Sequence, residues 1–493
     1  MAGFMAPTQG LVMWNPISTA QVLGLAIDVV RDFDASGSLA STTGSIAAGA
    51  NALTLGSPSD FRIGQGIVVQ GAGAGGGPLV TTIIGGAGTA YLTLAAPAIA
   101  AVSGATVEHD DSWAWQAAID AASGPCIIQC PPGSAMNIAA TVQLSSEVVL
   151  ALPASTLYWI GPAGGTIFSS SQAAPLVRSG IIGGCVDPGA AGQVIDLHSP
   201  QYCAFDLEVA DGSDTLTVMR WAADAQATGP LNSTDAMGNL VQRLVAGTCG
   251  TLLDLAGQSG GAVTLNTFAY LEGRDCQVAG LVCEASGNVN TNTFLKANIV
   301  LTANNAIGVD LGQTDAAPNI ANLIFVDLSI ANPNGLTCTG LYLHSSTTVQ
   351  VLSYSYSGFP TGSSVNGGKA VSYYIRDTGV GGPPAMQDAT LGWSVTPLQI
   401  GPTGTPVKNH FSVLQTIQAT PIPPQSGLST SAQVSGTQPG DTVVATPVGM
   451  MPLGVVWSAA VLSDNAVALY FTNPTMAALA VPQTQWRFDV WQY

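Results

Sequence analysis

Four phrases in the middle of the chain open on asparagine and continue as short β-rich runs: NLVQRLVAG from Asn239, NTFAYLEGR from Asn266, NTFLKANIV from Asn292 and NLIFVDLSI from Asn322. The steps between them are 27, 26 and 30 residues. A second set of phrases falls later in the same periods, as GTLLDL at 250, GLVCE at 280, GVDLG at 308 and GLYLH at 340. A β-sandwich has no reason to keep such a period, whereas each coil of a solenoid buries its apolar face only against its neighbours. Aligned on Val241, Phe268, Phe294 and Phe325, the phrases predict an internal apolar stack and a β-helix from about 125 to 380.

The rest of the chain divides around that repeat. At 493 residues it exceeds what one compact core supports, and 47% hydrophobic content with 58 Gly excludes disorder for most of it. Residues 1–27 are apolar and turn-rich and suit an attachment or oligomerisation segment, and residues 28–43, beginning DVVRDFDASGS, predict a first strand. Short β-branched runs broken by Gly and Pro predict a small all-β insert over 44–109. GAGAGGG at 71–77 is a turn there, since no helix and no Lys-Ser or Lys-Thr pair follows to make it a phosphate loop. DDSWAWQAAIDAASG at 110–124 predicts a helix capped by Asp111 or Ser112, striped by Trp115, Ala118, Ile119 and Ala122, and stopped at Gly124. It opens a unit of capping helix and β-helix over 110–380. Pro- and Gly-rich text predicts a linker over 381–427, and about five β-runs predict a C-terminal β-sandwich module over 428–493.

Asp28 to Asp34, the Asp110-Asp111 helix, PPG at 131–133 and VQLSSEVVLAL from Val142 together resemble the opening of pectate-lyase-like right-handed parallel β-helices, a superfamily common among phage tail spikes and tail fibres. In that superfamily an Asp-Asp-rich helix caps the solenoid and a strand ending in Pro-Pro-Gly starts the first coil. The insert between the two halves, and Trp113 and Trp115 in place of smaller residues, depart from that pattern. The closing QTQWRFDV is similar in style to the small β-modules that end many phage tail proteins. The resemblance implies a homotrimeric tail spike or fibre that meets host surface polysaccharide and joins a virion tail or baseplate through its N-terminal segment. It implies assembly in a bacterial host cytoplasm, and either depolymerisation of the glycan or a non-catalytic receptor-binding role.

Charge and cysteine usage narrow the partners. Charged residues are 8% of the chain, and 11 scattered Lys and Arg do not neutralise a nucleic-acid backbone, so no nucleic acid is expected. The formal net charge of -18 favours solubility. MAGFMAPTQGLVMWNP has no basic segment before an apolar core, and no run reaches the roughly 20 apolar residues of a membrane helix, which predicts neither secretory signal nor membrane insertion. Among Cys126, Cys130, Cys185, Cys203, Cys249, Cys276, Cys283 and Cys338 only the first two lie close, and no His cluster completes a zinc set. Buried free thiols in a reducing compartment are expected, with no metal and no cofactor.

A β-helix assembles its chemistry from ladders of outward side chains on neighbouring coils. Two positions after the aligned Val and Phe stand Arg243, Tyr270, Lys296 and Asp327; four positions after stand Val245, Glu272, Asn298 and Ser329. Glu272 and Asp327 fall two strand spacings, roughly 10 Å, apart, a loose match to the ~6.5–9.5 Å carboxyl separation of inverting glycosidases. The catalytic candidates are Glu272 as acid, with Asp327 or Asp275 activating water; Tyr270 stacks on sugar, and Lys296 and Arg243 hold acidic groups. Lyase chemistry would instead draw its base from Tyr270, Lys296 and Arg243. There is no GxSxG, and His109, His198, His344 and His410 lie far apart, so no serine or metal hydrolase constellation is visible. Asp206, Glu208, Asp211 and Asp214 form an acid-rich turn that either holds calcium or is solvated.

Overall fold

The computed structural model describes residues 26–224, 234–257, 261–284, 288–312, 319–343, 348–359, 365–366, 372–377, 409–449, 451–452 and 454–492. It divides into two compact units, 1–391 and 392–493. The first is a right-handed parallel β-solenoid, and the β-helix, the all-β insert and the C-terminal sandwich implied by the sequence are all present. Most of the attachment segment and His344 lie outside the described residues.

Parallel strands stack coil upon coil along the solenoid. One stack begins Ala26–Asp28, Cys126–Gln129, Val148–Ala151; another runs Val142–Leu144, Thr166–Ser170, Gln193–His198, Thr217–Ala223. The 18-residue strand Leu240–Gly257 bends through successive faces and pairs at its start with Ala204–Val209 and at its end with Thr217–Ala223. A smaller sheet, Ala236–Met237, Ala262–Thr264, Asn288–Asn290 and Asn319–Ala321, forms a further side of the same coils. The aligned residues pair in register as Val241↔Phe268, Phe268↔Phe294 and Phe294↔Phe325, and all four are fully buried. The three phenyl rings stack with centroids 4.7 and 4.5 Å apart and planes within 9°.

The repeated asparagines close the corner that precedes this stack. Asn266 Oδ1 accepts from both the backbone N–H and the side-chain Nδ2 of Asn239, and Asn292 Oδ1 does the same for Asn266, at 2.9–3.1 Å. Their Nδ2 groups also donate to the carbonyls of Pro200, Ala236 and Val263 across the turn. A buried corner has no water to satisfy its backbone, and one amide side chain per coil supplies both acceptor and donor. The column starts with smaller residues: Cys203 N–H donates to Asn239 Oδ1 at 2.8 Å, Ser179 N–H to Cys203 Sγ at 3.4 Å, and Ser179 Oγ to Val148 O at 2.7 Å. Asn322 does not continue it. The register Thr293↔Ile324 puts buried Leu323 in line with Asn292, so this step is one residue longer than the Asn spacing, and Asn322 is exposed at φ 55° in a left-handed turn. In the second set, Gly280, Gly308 and Gly340 follow one another in line, but Leu252 rather than Gly250 occupies that line one coil earlier.

At the N-terminal end, strand Ala26–Asp28 pairs with Cys126–Gln129, but the predicted strand beyond it is a short helix, α1, Val29–Phe33. Asp28 turns the chain, because its carboxylate accepts from Val30 and Arg31 N–H and caps the helix. Helix α2, Ser112–Ala121, buries Trp115, Ala118 and Ile119 but ends before Gly124, at Ala122. Its N-cap position is Asp111, whose side chain makes no capping bond; the residue before it, Asp110, accepts through Oδ1 from Ser112 N–H and Oγ and from Ala139 N–H of the first coil. Asp111 instead reaches back to Ser36, accepting from its N–H at 2.6 Å and its hydroxyl at 2.8 Å. The two acids thus tie α1's exit, α2 and the first coil together.

The insert is a closed six-stranded barrel running from Ser41–Ile46 to Val102–Asp110, with a core of Leu53, Leu55, Ile67, Val69, Ile83, Leu92, Leu94 and Val107. Strict alternation in ALTL and YLTL, exposed then buried, is the pattern a one-sided barrel strand requires. In the second unit, Asn409–Ile417, Thr442–Pro447 and Thr484–Gln492 face Ser426–Gln433, Val456–Ser463 and Ala466–Asn473 across a core of Trp486, Phe488, Leu469 and Phe471. The predicted linker over 381–427 therefore contains a strand of the module, since Asn409–Ile417 pairs along its length with the last strand. All eight cysteines are free thiols and all but Cys185 are buried; burial pushes Cys203 up to about 12. No helix among the described residues is long and apolar enough to cross a membrane.

Two outcomes are expected. Asn266→Ala strands Asn239 N–H and Ala236 O in the buried corner and should cost on the order of 3 kcal/mol, whereas Asn322→Gly, at an exposed left-handed position, should change stability by less than about 0.5 kcal/mol; equal urea midpoints would remove the ladder from the account. Burial pushes Asp111 up to about 6, so folding favours its protonated form and its contribution is full below pH ~4 and lost as pH rises through ~6. Asp111→Asn should therefore gain on wild type by about 2–3 kcal/mol between pH 4 and 7. A difference that does not move with pH would show that this carboxyl is not linked to folding.

Candidate functional site

Two positions after each of Val241, Phe268, Phe294 and Phe325 a side chain is turned outward, and in-register pairing lines these up. The first column reads Asp206, Arg243, Tyr270, Lys296, Asp327; the second reads Glu208, Val245, Glu272, Asn298, Ser329. Val245 is buried, so the second column has a notch between its two glutamates. Two arginines bind the carboxylates beside it, and one of them, Arg274, reaches across it. Arg243 Nε donates to Asp206 at 2.8 Å and its second nitrogen to Glu208 at 3.4 Å; Arg274 Nε donates to Glu272 at 2.8 Å and pairs with Glu208 at 3.7 Å. Tyr270 donates its hydroxyl to Glu272 Oε2, and Asn298 Nδ2 donates to that hydroxyl at 3.5 Å. The result is one connected, partly exposed polar network across successive coils.

Its electrostatics follow from these bonds. The hydrogen bond from Arg274, then that from Tyr270, hold the Glu272 carboxyl below the usual carboxylate range, so it is ionised at neutral pH. The same bond to Glu272 pushes the Tyr270 phenol up, which keeps it a donor. Lys296 is exposed and has no ion-pair partner among the described residues, which leaves its ammonium available to an external anion.

The predicted residues separate into two groups. Arg243, Tyr270, Lys296, Glu272 and Asp327 share one outward face, with Glu272 two coils from the level of Asp327. Asp275 stands apart at a corner, pairing in register with Thr248 and accepting from Thr248 Oγ1 at 2.9 Å, from Gln277 at 2.5 Å and from the Thr302 hydroxyl. Its partners and those of Glu272 are disjoint, so it is a clasp between coils rather than a second carboxyl at the network.

Sequence alignment of the coils missed Arg274, Glu208 and Asp206 as members of this network. Arg274 was legible, being two residues after Glu272 on the same strand face. Asp206 and Glu208 stood in the acid-rich turn, because the step from Ala204 to its register partner Leu240 is 36 residues and hides the repeat. That turn does not gather: Asp206 and Glu208 face Arg243, whereas Asp211 accepts from Thr248 N–H at 2.9 Å. Among the described residues no group of three or more His, Cys, Asp or Glu is arranged to hold a metal ion.

The chain is a parallel β-solenoid. Solved structures similar to it include the tailspike of Pseudomonas phage phi297, at 11% identity over 92% of this chain and 81% of that one, with a TM-score of 0.21. Others are the tailspike of E. coli bacteriophage HK620 in complex with a pentasaccharide, at 11% identity over 78% of this chain and 90% of that one with a TM-score of 0.30, and that of Acinetobacter phage vB_ApiP_P1, at 11% over 77% and 84% with a TM-score of 0.28. Likenesses at this level concern the chain trace and carry no residue roles across. No protein-family model matches the sequence, and no curated protein matches it.

Arg274→Ala should move the Glu272 titration up toward the ordinary carboxylate range, followed by carboxyl-resolved NMR on selectively labelled protein. An unmoved titration would show that the 2.8 Å contact does not set the charge of this group.

Proposed function

We propose that this chain is a phage-type tail spike or tail fibre protein that recognises host surface polysaccharide on the face carrying Tyr270, Glu272, Lys296 and Asp327. The observation that carries the proposal is the network itself. A chain with only 8% charged residues and 11 Lys and Arg places three of those cations, Arg243, Arg274 and Lys296, on one outward patch with an aromatic ring and several carboxylates. An extended polymer needs an extended, open surface with hydrogen-bonding groups at strand spacing, about 4.8 Å apart, and a solenoid ladder supplies that. Tyr270 offers a ring for sugar stacking, the Glu272 carboxylate accepts from hydroxyls, and Lys296 pairs with an acidic substituent. The resemblance of the capping region to tail-spike β-helices supports the same reading. With it come a parallel homotrimer, attachment to a virion tail or baseplate through residues 1–27, and assembly in a bacterial host cytoplasm.

Cleavage makes a further demand. Hydrolysis with inversion needs one carboxyl to donate a proton and another to activate water. The bonds from Arg274 and Tyr270 favour an ionised Glu272, which suits the base and leaves proton donation to Asp327 two coils away. The alternative, a non-catalytic receptor-binding fibre, uses the same face without that step.

Retention on immobilised host polysaccharide and release of reducing ends, measured together, test the proposal. Tyr270→Ala should weaken retention by about tenfold, the loss of one stacking contact. If the chain cuts glycan, Glu272→Gln and Asp327→Asn should each lower release by about a hundredfold or more while retention persists. Retention without release in the wild type assigns the binding role alone, and full retention by Tyr270→Ala would place the glycan elsewhere.

A further inference from the structure

The barrel insert has a cavity that the solenoid ladder does not use. It lies where the chain enters and leaves the barrel, between residues 40–42, the loop 57–61 and His109 at the end of the last strand, and holds about 280 Å³. Ligand pockets run upward from roughly 300 Å³, so this one is of a size for a single small ring rather than an oligomer.

Its lining is unusually hydroxylic and has one charge. Ser41, Thr42, Ser57 and Ser59 surround it, with Thr42 Oγ1 and Ser57 Oγ 3.4 Å apart at one side. Asp60 stands at the mouth, its side chain 82% exposed, and its Oδ1 is 3.5 Å from Nε2 of buried His109. Phe61 packs on the imidazole at 4.2 Å between ring centroids and fixes it. Burial holds the His109 pKa below its usual value, so at neutral pH the ring is uncharged and offers one donor and one acceptor. A second observation marks the same place: Ser59 Oγ is shut off from solvent and has no hydrogen-bond partner among the described residues. Buried hydroxyls are normally paired, and a change of Ser59 rotamer toward the cavity lets a ligand hydroxyl supply the missing bond.

We propose that the root of the barrel is a binding site for one uncharged sugar ring, with Asp60 accepting from vicinal hydroxyls and Ser59 and the neighbouring hydroxyls completing the hydrogen bonds. A lone carboxylate with hydroxyls and a neutral imidazole repels an anionic ligand and satisfies a polyol, because a carboxylate takes two hydroxyl donors at once. The site is independent of the ladder on the solenoid and does not require that the ladder bind glycan.

Saturation-transfer NMR on the full chain tests it, with methyl glycosides of glucose, galactose, mannose and N-acetylglucosamine as probes at millimolar concentration. Transfer to at least one glycoside is expected, weakened about tenfold or more in Asp60→Asn and in Ser59→Ala, the loss of a hydrogen bond to a charged group or a buried hydroxyl. Asp60 is exposed and Ser59 Oγ is unpaired, so both variants should melt no lower than wild type. Absence of transfer from every glycoside overturns the proposal, as does transfer that survives Asp60→Asn and Ser59→Ala. Transfer lost only in Tyr270→Ala also overturns it, and assigns the sugar to the ladder.

Discussion

In a solenoid whose sides are parallel strands, the strands satisfy their own backbone along the stack, but the corners between them do not. Asn239, Asn266 and Asn292 resolve this by giving each coil one amide that accepts from the coil before it and donates across the turn. Because the amide bonds to the same residue one coil away, it fixes the distance and the register of neighbouring coils together. A slip by one residue would take the Phe rings out of the buried column. The buried phenyl column and the exposed ionic face are therefore two results of one corner, two residues apart in sequence.

That dependence explains why the outer network is held so closely. Arg243 reaches two carboxylates of the preceding coil, Asp206 and Glu208, and Arg274 bridges Glu272 on its own strand to Glu208 two coils back, and such bridges exist only where the coils keep phase. The Val245 notch lets Arg274 reach from Glu272 to Glu208 across the column. Exposed ion pairs add little stability on their own. Their effect here is to orient: Glu272 is held by Arg274 and by Tyr270, which leaves Lys296 as the cation of the group without an ion-pair partner among the described residues.

How much of this could be read from the sequence varies with how local the cause is. The coil period, the Phe stack and the alternation that puts Glu272 and Lys296 outward were legible, since each depends on spacing within a strand. Asn322 misled, because a left-handed turn residue and a ladder residue carry the same letter and differ only in a register set by the next coil. The run after Asp28 reads as alternating but is a helix, since one carboxylate accepting from two N–H groups outweighs a weak pattern over five residues. Asp275 read as a site residue for its distance from Glu272 in sequence; that it clasps Thr248 and Thr302 depends on corner geometry, which spacing does not encode. Asp206 and Glu208 were hidden by a coil of 36 residues among coils of 26 and 27.

The amide column has a direction and two ends. It opens on Ser179 and Cys203, which bond through single atoms, and stops at Leu323, which offers its neighbours no polar group at all. Between those ends the corner of each coil is clipped to the next by a side chain as well as by strands; at Leu323 this column ends. A force applied along the axis is thus carried unevenly. The stiffening that the column gives stops at the seam beyond Asn292, and that seam passes between Lys296 and Asp327, so the charged face itself spans the step from the clipped coils to the unclipped one.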